Sequence, residues 1–384
     1  MTRIVAPWLD DPATQFVCET LTNGGADLYF VGGCVRNALL TAPVSDLDLS
    51  TNVPPQRIIE LAEAAGIKAI PTGVDHGTVT LVHHSIPYEI TTFRRDVATD
   101  GRRAVVAFAE TITEDAARRD FTMNALYARP DGLLVDPLNG LPDLRAGVVR
   151  FIGTAANRIC EDYLRSLRYF RFHAWYGNPA AGFDPDALSA IAENLDGIDT
   201  LSRERVGAEL LKLLAAPDPA PSIAVMRQIG LLQLILPGSD DRALAPLTHL
   251  ENDTAIDPLR RLAALGGETP RQALRLSKAQ AAEVQLLRGA ASGTDGSAAL
   301  AYHHGDTTAR SVALLRAALL EMPVSSKLEA EISLGAAAVF PISAKDLMPE
   351  LQGPALGAAL KSLQQEWIAS GFSLDRDALL RRLQ

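Results

Sequence analysis

The sequence predicts an α+β head followed by an all-helical remainder. Two observations carry the division. Short apolar or alternating runs with strand character concentrate in the first part of the chain, with helical stretches between them. Beyond about residue 155, Ala and Leu dominate and helical spacing fills most of the sequence. Weak punctuation falls at Gly177-Asn178-Pro179, Ala216-Pro217-Asp218-Pro219, Pro237-Gly238-Ser239 and residues 290–297.

The head opens on Ala26 to Val31, an apolar strand. Gly32-Gly33 ends it, supplying backbone angles that a Cβ disfavours, and Cys34 to Leu40 has helical spacing. A glycine turn feeding a helix N-terminus collects free N–H groups and the positive end of the helix dipole, which suits an anion. Arg36, in that first turn, adds a fork of donors for phosphate. Asp46-Leu47-Asp48-Leu49 follows as a strand, in which residues two apart share a face. Asp46 and Asp48 then project together while the leucines enter the core, and two adjacent carboxylates call for a cation. Oxygen ligands favour Mg²⁺, which also takes substrate phosphate oxygens.

A helix is expected over Pro54 to Ala65, with proline at its start. Thr78 to Val82 and Tyr88 to Arg94 pair as a hairpin beside the aspartate strand. Glu89 either joins the aspartates as a third acid or is a solvated strand glutamate. Residues 94–113, with Arg94, Arg95, Arg102 and Arg103 among Asp96, Asp100 and Gly101, have no sustained period and read as a mobile functional loop. In Glu114 to Ala125, EDAARRDFTMNA, adjacent Arg119 and Asp120 offer donors for a phosphate and acceptors for a ribose hydroxyl.

Glu161 to Phe172, EDYLRSLRYFRF, reads as one amphipathic helix. Asp162 and Arg165 lie three apart on one face, and Arg168 and Arg171 extend the row. Three arginines on one face require an anion or carboxylates to balance them. Cytosine and adenine both present an amino donor beside a ring-nitrogen acceptor; uracil and guanine reverse the pair. An Asp–Arg couple therefore accepts C and A and leaves buried groups unpaired against U and G. Alone, the pair is better read as an ordinary i,i+3 ion pair; beside the two preceding motifs, base selection is the better reading. Leu201 to Leu210 reads as a helix with Ser202 as N-cap and a supporting role. His303 and His304 have no second His/Asp cluster at metal-binding spacing.

Composition bounds these readings. A chain of 384 residues holds about two to four compact units. Apolar content is 47%, no run approaches a membrane span, and MTRIVAPWLDDPATQ lacks the core of a secretion signal. Cys18, Cys34 and Cys160 are scattered and form no CxxC, which argues against a disulfide framework or a zinc site. A soluble cytoplasmic protein is expected. The net charge of −10 opposes non-specific nucleic-acid binding, so an RNA partner requires local basic surfaces.

The three motifs, VGGCVRNALL…SDLDLS, RRDFTMNA and EDYLRSLRYFRF, resemble those of the bacterial class II tRNA CCA-adding enzyme and poly(A) polymerase family, within the nucleotidyltransferase superfamily that includes DNA polymerase β. The specific resemblance covers roughly the first 215 residues; Asn37 stands where the family usually has Asp. It implies a polymerase-β-like mixed sheet with helices as catalytic head over 1–150, a nucleotide-selecting helical neck over 151–216, and a tRNA-binding helical body and tail over 217–384. It also implies catalysis by Asp46, Asp48 and Glu89, with Mg²⁺ on Asp46 and Asp48. Nucleotide binding falls to Gly32, Gly33, Arg36, Arg119, Asp120, Asp162, Arg165, Arg168 and Arg171. The implied reaction adds C, C and A to the 3′ end of tRNA from CTP and ATP, releasing pyrophosphate, with no membrane partner and no oligomeric state specified. The 94–113 loop matches the family's flexible loop, which helps the site pass from C to A.

The nearest alternative is a poly(A) polymerase or a partial enzyme adding only CC or only A. TGVDHGTVTL stands where the family's poly(A) polymerases carry a basic GRRF-like segment, and Asp100-Gly101-Arg102 favours full CCA addition. A non-catalytic RNA-binding protein is opposed by the intact aspartates. A small-molecule nucleotidyltransferase shares the first motif but gives no reason for the Asp162 segment.

Overall fold

A computed structural model describes residues 2–99, 104–251 and 254–383, with backbone alone over 96–99 and 104–106. The chain divides into two compact units, Met1–Ile235 and Leu236–Gln384.

The first unit opens with α1 (Pro12–Asn23), which Asp11 caps by accepting from the N–H groups of Ala13 and Thr14. Then come β1 (Leu28–Val31), α2 (Gly33–Leu39), β2 (Leu47–Thr51) and α3 (Pro55–Ala64). β3 (Lys68–Gly73), β4 (Thr78–His83) and β5 (Ile86–Thr92) follow. Residues His84 and Ser85, both at positive φ (47° and 66°), make the two-residue turn of the expected hairpin. With β8 (Tyr127–Ala128) and β9 (Leu134–Val135), these strands form one mixed sheet in the order β3-β4-β5-β2-β1-β8-β9. β2 runs parallel to β5 and antiparallel to β1. Leu47, Leu49, Tyr88 and Ile90 are buried, and Tyr88 hydrogen-bonds Thr14 of α1. That face is covered by α1 and α3, which pack on each other and on β1, β3 and β4.

Residues 94–113 differ from the expected loop. β6 (Arg94–Thr99) and β7 (Ala104–Phe108) form a separate antiparallel ribbon, followed by α4 (Ile112–Ala117). The β-branched Val97, Thr99, Val105 and Val106 suit strands, and the arginines between them hide that preference from a hydrophobic-period reading. Asp100, Gly101, Arg102 and Arg103 lie outside the described residues.

Helices α5 (Leu141–Ala146), α6 (Ala155–Glu161), α7 (Leu164–Tyr176), α8 (Pro185–Glu193), α9 (Arg203–Leu214), α10 (Ala220–Gln228) and α11 (Leu231–Ile235) complete this unit. Asp136 accepts from the N–H groups of Gly140 and Leu141 at the start of α5, which gives the DPLNG segment a structural task.

The second unit holds α12 (Leu244–Leu250), α13 (Pro258–Leu265), α14 (Pro270–Ala273), α15 (Lys278–Ser292), α16 (Ser297–His304), α17 (Asp306–Leu319), α18 (Leu328–Ala337), α19 (Gly353–Ala369) and α20 (Arg376–Leu380). Its buried Arg260 and Arg261 both bond Glu251. A distal core gathers Ile342, Leu347, Leu363, Trp367 and Leu379. Among the described residues, no helix is long and apolar enough to cross a membrane.

Candidate nucleotide and metal site

The acidic part of the site follows from strand register. Asp48 of β2 stands directly opposite Glu89 of β5 in the parallel pair. Because the flanking Leu47, Leu49, Tyr88 and Ile90 point into the core, Asp48 and Glu89 share the opposite face. Burial, then Glu89, push the Asp48 carboxyl up to about 6; Asp46 adds to this and Arg119 opposes it. Asp46 lies one residue before the strand, exposed, with Oδ2 accepting from the Ser45 hydroxyl at 2.7 Å. The expected third acid is thus a register partner of the second, while the first approaches from the preceding loop.

Such a group suits a hard divalent cation. Carboxylates that resist ionising together are relieved by positive charge, and Mg²⁺ needs only one or two protein carboxylates besides water and phosphate oxygens. Among the described residues, no three His, Cys, Asp or Glu side chains converge as a closed metal cage. The donor set fits an ion completed by substrate.

The glycine turn lies next to this face. Gly32 has φ 72° and caps α2, a conformation that a side chain would strain. A Cβ on Gly32 would lie 3.7 Å from an Nη of Arg119, and one on Gly33 3.9 Å from an Nη of Arg36. Both guanidinium groups therefore border the turn. Arg36 is buried and donates to Asn37 Oδ1, Asn124 Oδ1 and the Tyr176 hydroxyl. Its guanidinium carbon lies 4.1 Å from the Tyr176 ring centroid. Asn37 accepts from Arg36 and donates to the Pro43 carbonyl at 2.7 Å, a pair of bonds that a carboxylate cannot reproduce. Arg119 is held by Asp115, Tyr127 and Ser50.

The selecting segment is not one helix. α6 ends at Glu161, and Asp162 is extended (φ −152°, ψ 105°) before α7 begins at Leu164. One Asp162 oxygen accepts from the Leu164 N–H at 3.1 Å, as an N-cap would. The other accepts from Arg205 at 2.7 Å. Arg165 instead bonds Glu161 at 2.6 Å and the carbonyls of Arg158 and Arg118. The expected i,i+3 neighbours on one face are thereby corrected: the chain breaks at Asp162, and each member of the couple has another partner.

The arginine row is balanced by carboxylates. Arg168 bonds Asp120 through Nε at 2.7 Å, and also through Nη2, and Arg171 pairs with Glu209 at 2.6 Å. Asp120, expected beside the sugar, is buried; its carboxyl, which burial would raise, is held below the usual range by Arg168 and Asn124. The sequence reading named none of Asp115, Tyr127, Tyr176, Arg205 and Glu209 as site residues. The arginines' need for counter-charge signalled Asp115 and Glu209 in kind; nothing in the sequence signalled Tyr127, Tyr176 or Arg205.

Known proteins resemble this chain in sequence and fold. Residues 28–150 match the poly A polymerase head domain, and residues 182–242 match the probable RNA- and SrmB-binding site of polymerase A. The human mitochondrial CCA tRNA nucleotidyltransferase 1 is 32% identical over 388 residues, covering 94% of this chain and 87% of that one. A CCA-adding enzyme of Streptococcus gordonii is 36% identical over 242 residues, covering 62% of this chain and 58% of that one. The crystal structure of the Bacillus stearothermophilus CCA-adding enzyme in complex with CTP superposes with a TM-score of 0.77 at 27% identity, covering 95% of this chain and 94% of that one. The Thermotoga maritima CCA-adding enzyme complexed with tRNA shares the fold, with a TM-score of 0.72 at 18% identity over 100% of this chain and 98% of that one. With its paired acids, glycine turn and arginine row on that scaffold, the chain belongs to the CCA tRNA nucleotidyltransferase family.

Proposed function

We propose that this chain adds C, C and A in turn to the 3′ end of tRNA, choosing the bases with side chains and using CTP and ATP. The terminal 3′ oxygen of the RNA forms a bond to the α-phosphorus, the bond from that phosphorus to the bridging oxygen breaks, and pyrophosphate leaves with the electron pair. The hydroxyl proton passes to solvent. The observation that supports this most strongly is the rung of Asp48 and Glu89 beside a glycine turn bordered by Arg36 and Arg119.

In this reading Asp46 and Asp48 hold Mg²⁺, with Glu89 shaping its field. The ion supplies charge neutralisation at the reacting phosphate. The N–H groups at Gly32 and Gly33, with Arg36 and Arg119, orient the triphosphate. Asp162 and Arg165 read the base edge. Arg168 and Arg171 line the nucleotide's approach, with Asp120 fixing Arg168. Residues 1–150 serve as catalytic head, 151–216 as selecting neck, and 217–384 as tRNA-holding body and tail. The cytoplasm is the compartment we assign; three similar vertebrate proteins bear mitochondrial names.

The test is sequencing of the product made from tRNA lacking CCA with all four nucleotides and Mg²⁺. A product ending in CCA is expected. Comparable incorporation of UMP or GMP overturns base selection by side chains; a long A tract favours a poly(A) polymerase instead.

A further inference from the structure

Among the described residues of the first unit, Asp115 is the most heavily engaged carboxylate, and neither substrate binding nor metal binding accounts for it. It is fully buried, in the first turn of the short helix α4. Oδ2 accepts from Nε and Nη2 of Arg119, at 3.3 and 3.0 Å, and from the Tyr127 hydroxyl at 2.7 Å. The same hydroxyl accepts from Arg119 Nε at 3.0 Å, so the three groups close a ring. Oδ1 accepts from Arg118 at 2.9 Å and, more weakly, from the N–H of Arg94, the first residue of the ribbon, at 3.4 Å.

These bonds use two of the three Arg119 nitrogens. Nη2 reaches Ser50 on the Asp48 strand as well. Nη1 stays out of them and is the atom that lies 3.7 Å from where a Cβ on Gly32 would be. A guanidinium held on two edges cannot rotate about its long stem, so its remaining edge keeps one direction. We infer that Asp115 is a positioning residue for the nucleotide: with Tyr127 it clamps Arg119 so that Nη1 is presented over the Gly32–Gly33 turn to the triphosphate. This rests on the reading of Arg119 as a phosphate ligand. The bond to Arg94 also makes Asp115 the joint between that arginine and the ribbon root.

The experiment measures KM and kcat for CTP and ATP on tRNA lacking CCA. Asp115→Asn, Arg119→Ala and their double variant form a cycle. Asp115→Asn should raise KM for both nucleotides about tenfold, with kcat within about threefold, because the arginine is loosened rather than lost. On the Arg119→Ala background it should raise KM no further. A rise that persists there, or no rise with Arg119 present, overturns the inference. Unchanged KM in Arg119→Ala overturns the phosphate role of Arg119 instead. Should Asp115→Asn lower Tm enough to obscure the kinetics, Tyr127→Phe decides. It leaves both charges in place and should raise KM about threefold with Arg119 present and not without it; no rise overturns the clamp.

Discussion

Asp162 is bonded by Arg205, at 2.7 Å, and not by Arg165, three residues along its own chain. Arg205 sits in the first turn of α9, behind Ser202 as N-cap. Together with the Leu164 N–H it sets the direction of the carboxylate. In Arg205→Ala the carboxylate keeps its charge but loses that direction. The expected outcome is a loss of discrimination: kcat/KM for CTP relative to UTP falls about tenfold. Arg203→Ala, which removes only an exposed pair with Asp199, should leave the ratio unchanged. Competition assays with mixed nucleotides read the difference.

Asp48 links the ion to stability. Its carboxyl is pushed up to about 6, so the folded chain binds a proton more readily than the unfolded chain, whose value is 3.8. Without a divalent ion, stability therefore declines as pH rises through the window from 3.8 to about 6 and stays lower at neutral pH. Mg²⁺ should raise Tm at pH 7, and the rise should vanish in Asp48→Asn. Calorimetry with and without chelator checks this independently of activity.

Asp115 acts in the opposite sense. Burial raises its carboxyl, but Arg119, Arg118 and the Tyr127 hydroxyl outweigh that and bring it to about 2 from 3.8. The stabilisation is present above the unfolded value and is lost as pH falls through that window, amounting to about 2 kcal/mol. Acid unfolding monitored by circular dichroism should show a shallower pH slope between about pH 4 and pH 2 in Asp115→Asn.

Gly197 offers a remote handle on base selection. A Cβ there would lie 1.9 Å from Cε1 of Tyr163, the residue between Asp162 and Leu164. Gly197→Ala therefore forces the ring to move and the Asp162 turn with it. KM for CTP and ATP should rise about tenfold or more while the protein stays folded, since a misplaced binding group is costly even when the change lies outside the site. Steady-state kinetics beside a thermal melt separate the two effects.

The parts of this molecule legible in its sequence are those governed by local rules. Alternation around Asp48 and Glu89 foretold two strands with their acids on the solvent side, and the positions of α2 and α3 followed from a glycine turn and a proline start. The break at Asp162 was hidden because Leu164, Leu167 and Phe170 keep helical spacing with the residues before it. The N-cap preference of Asp was the only local sign. The ribbon was hidden for a related reason: charged residues interrupt its apolar period. Partners such as Arg205 and Glu209 come from tens of residues away. Sequence showed that the arginines needed anions, but only the tertiary packing says which ones: Asp120 for Arg168, Glu161 for Arg165 and Glu209 of α9 for Arg171.

The rung that joins β2 to β5 also governs when the protein becomes competent. Parallel neighbours cannot be made by a tight turn; here α3, β3 and β4 separate residue 89 from residue 48, so the rung is a non-local contact. A half-built head therefore presents Asp46 and Asp48 without Glu89, and the full acidic face that we propose for the ion exists only once β5 has joined β2. A luminescent lanthanide added during refolding would brighten late, and its signal would serve as a clock for assembly.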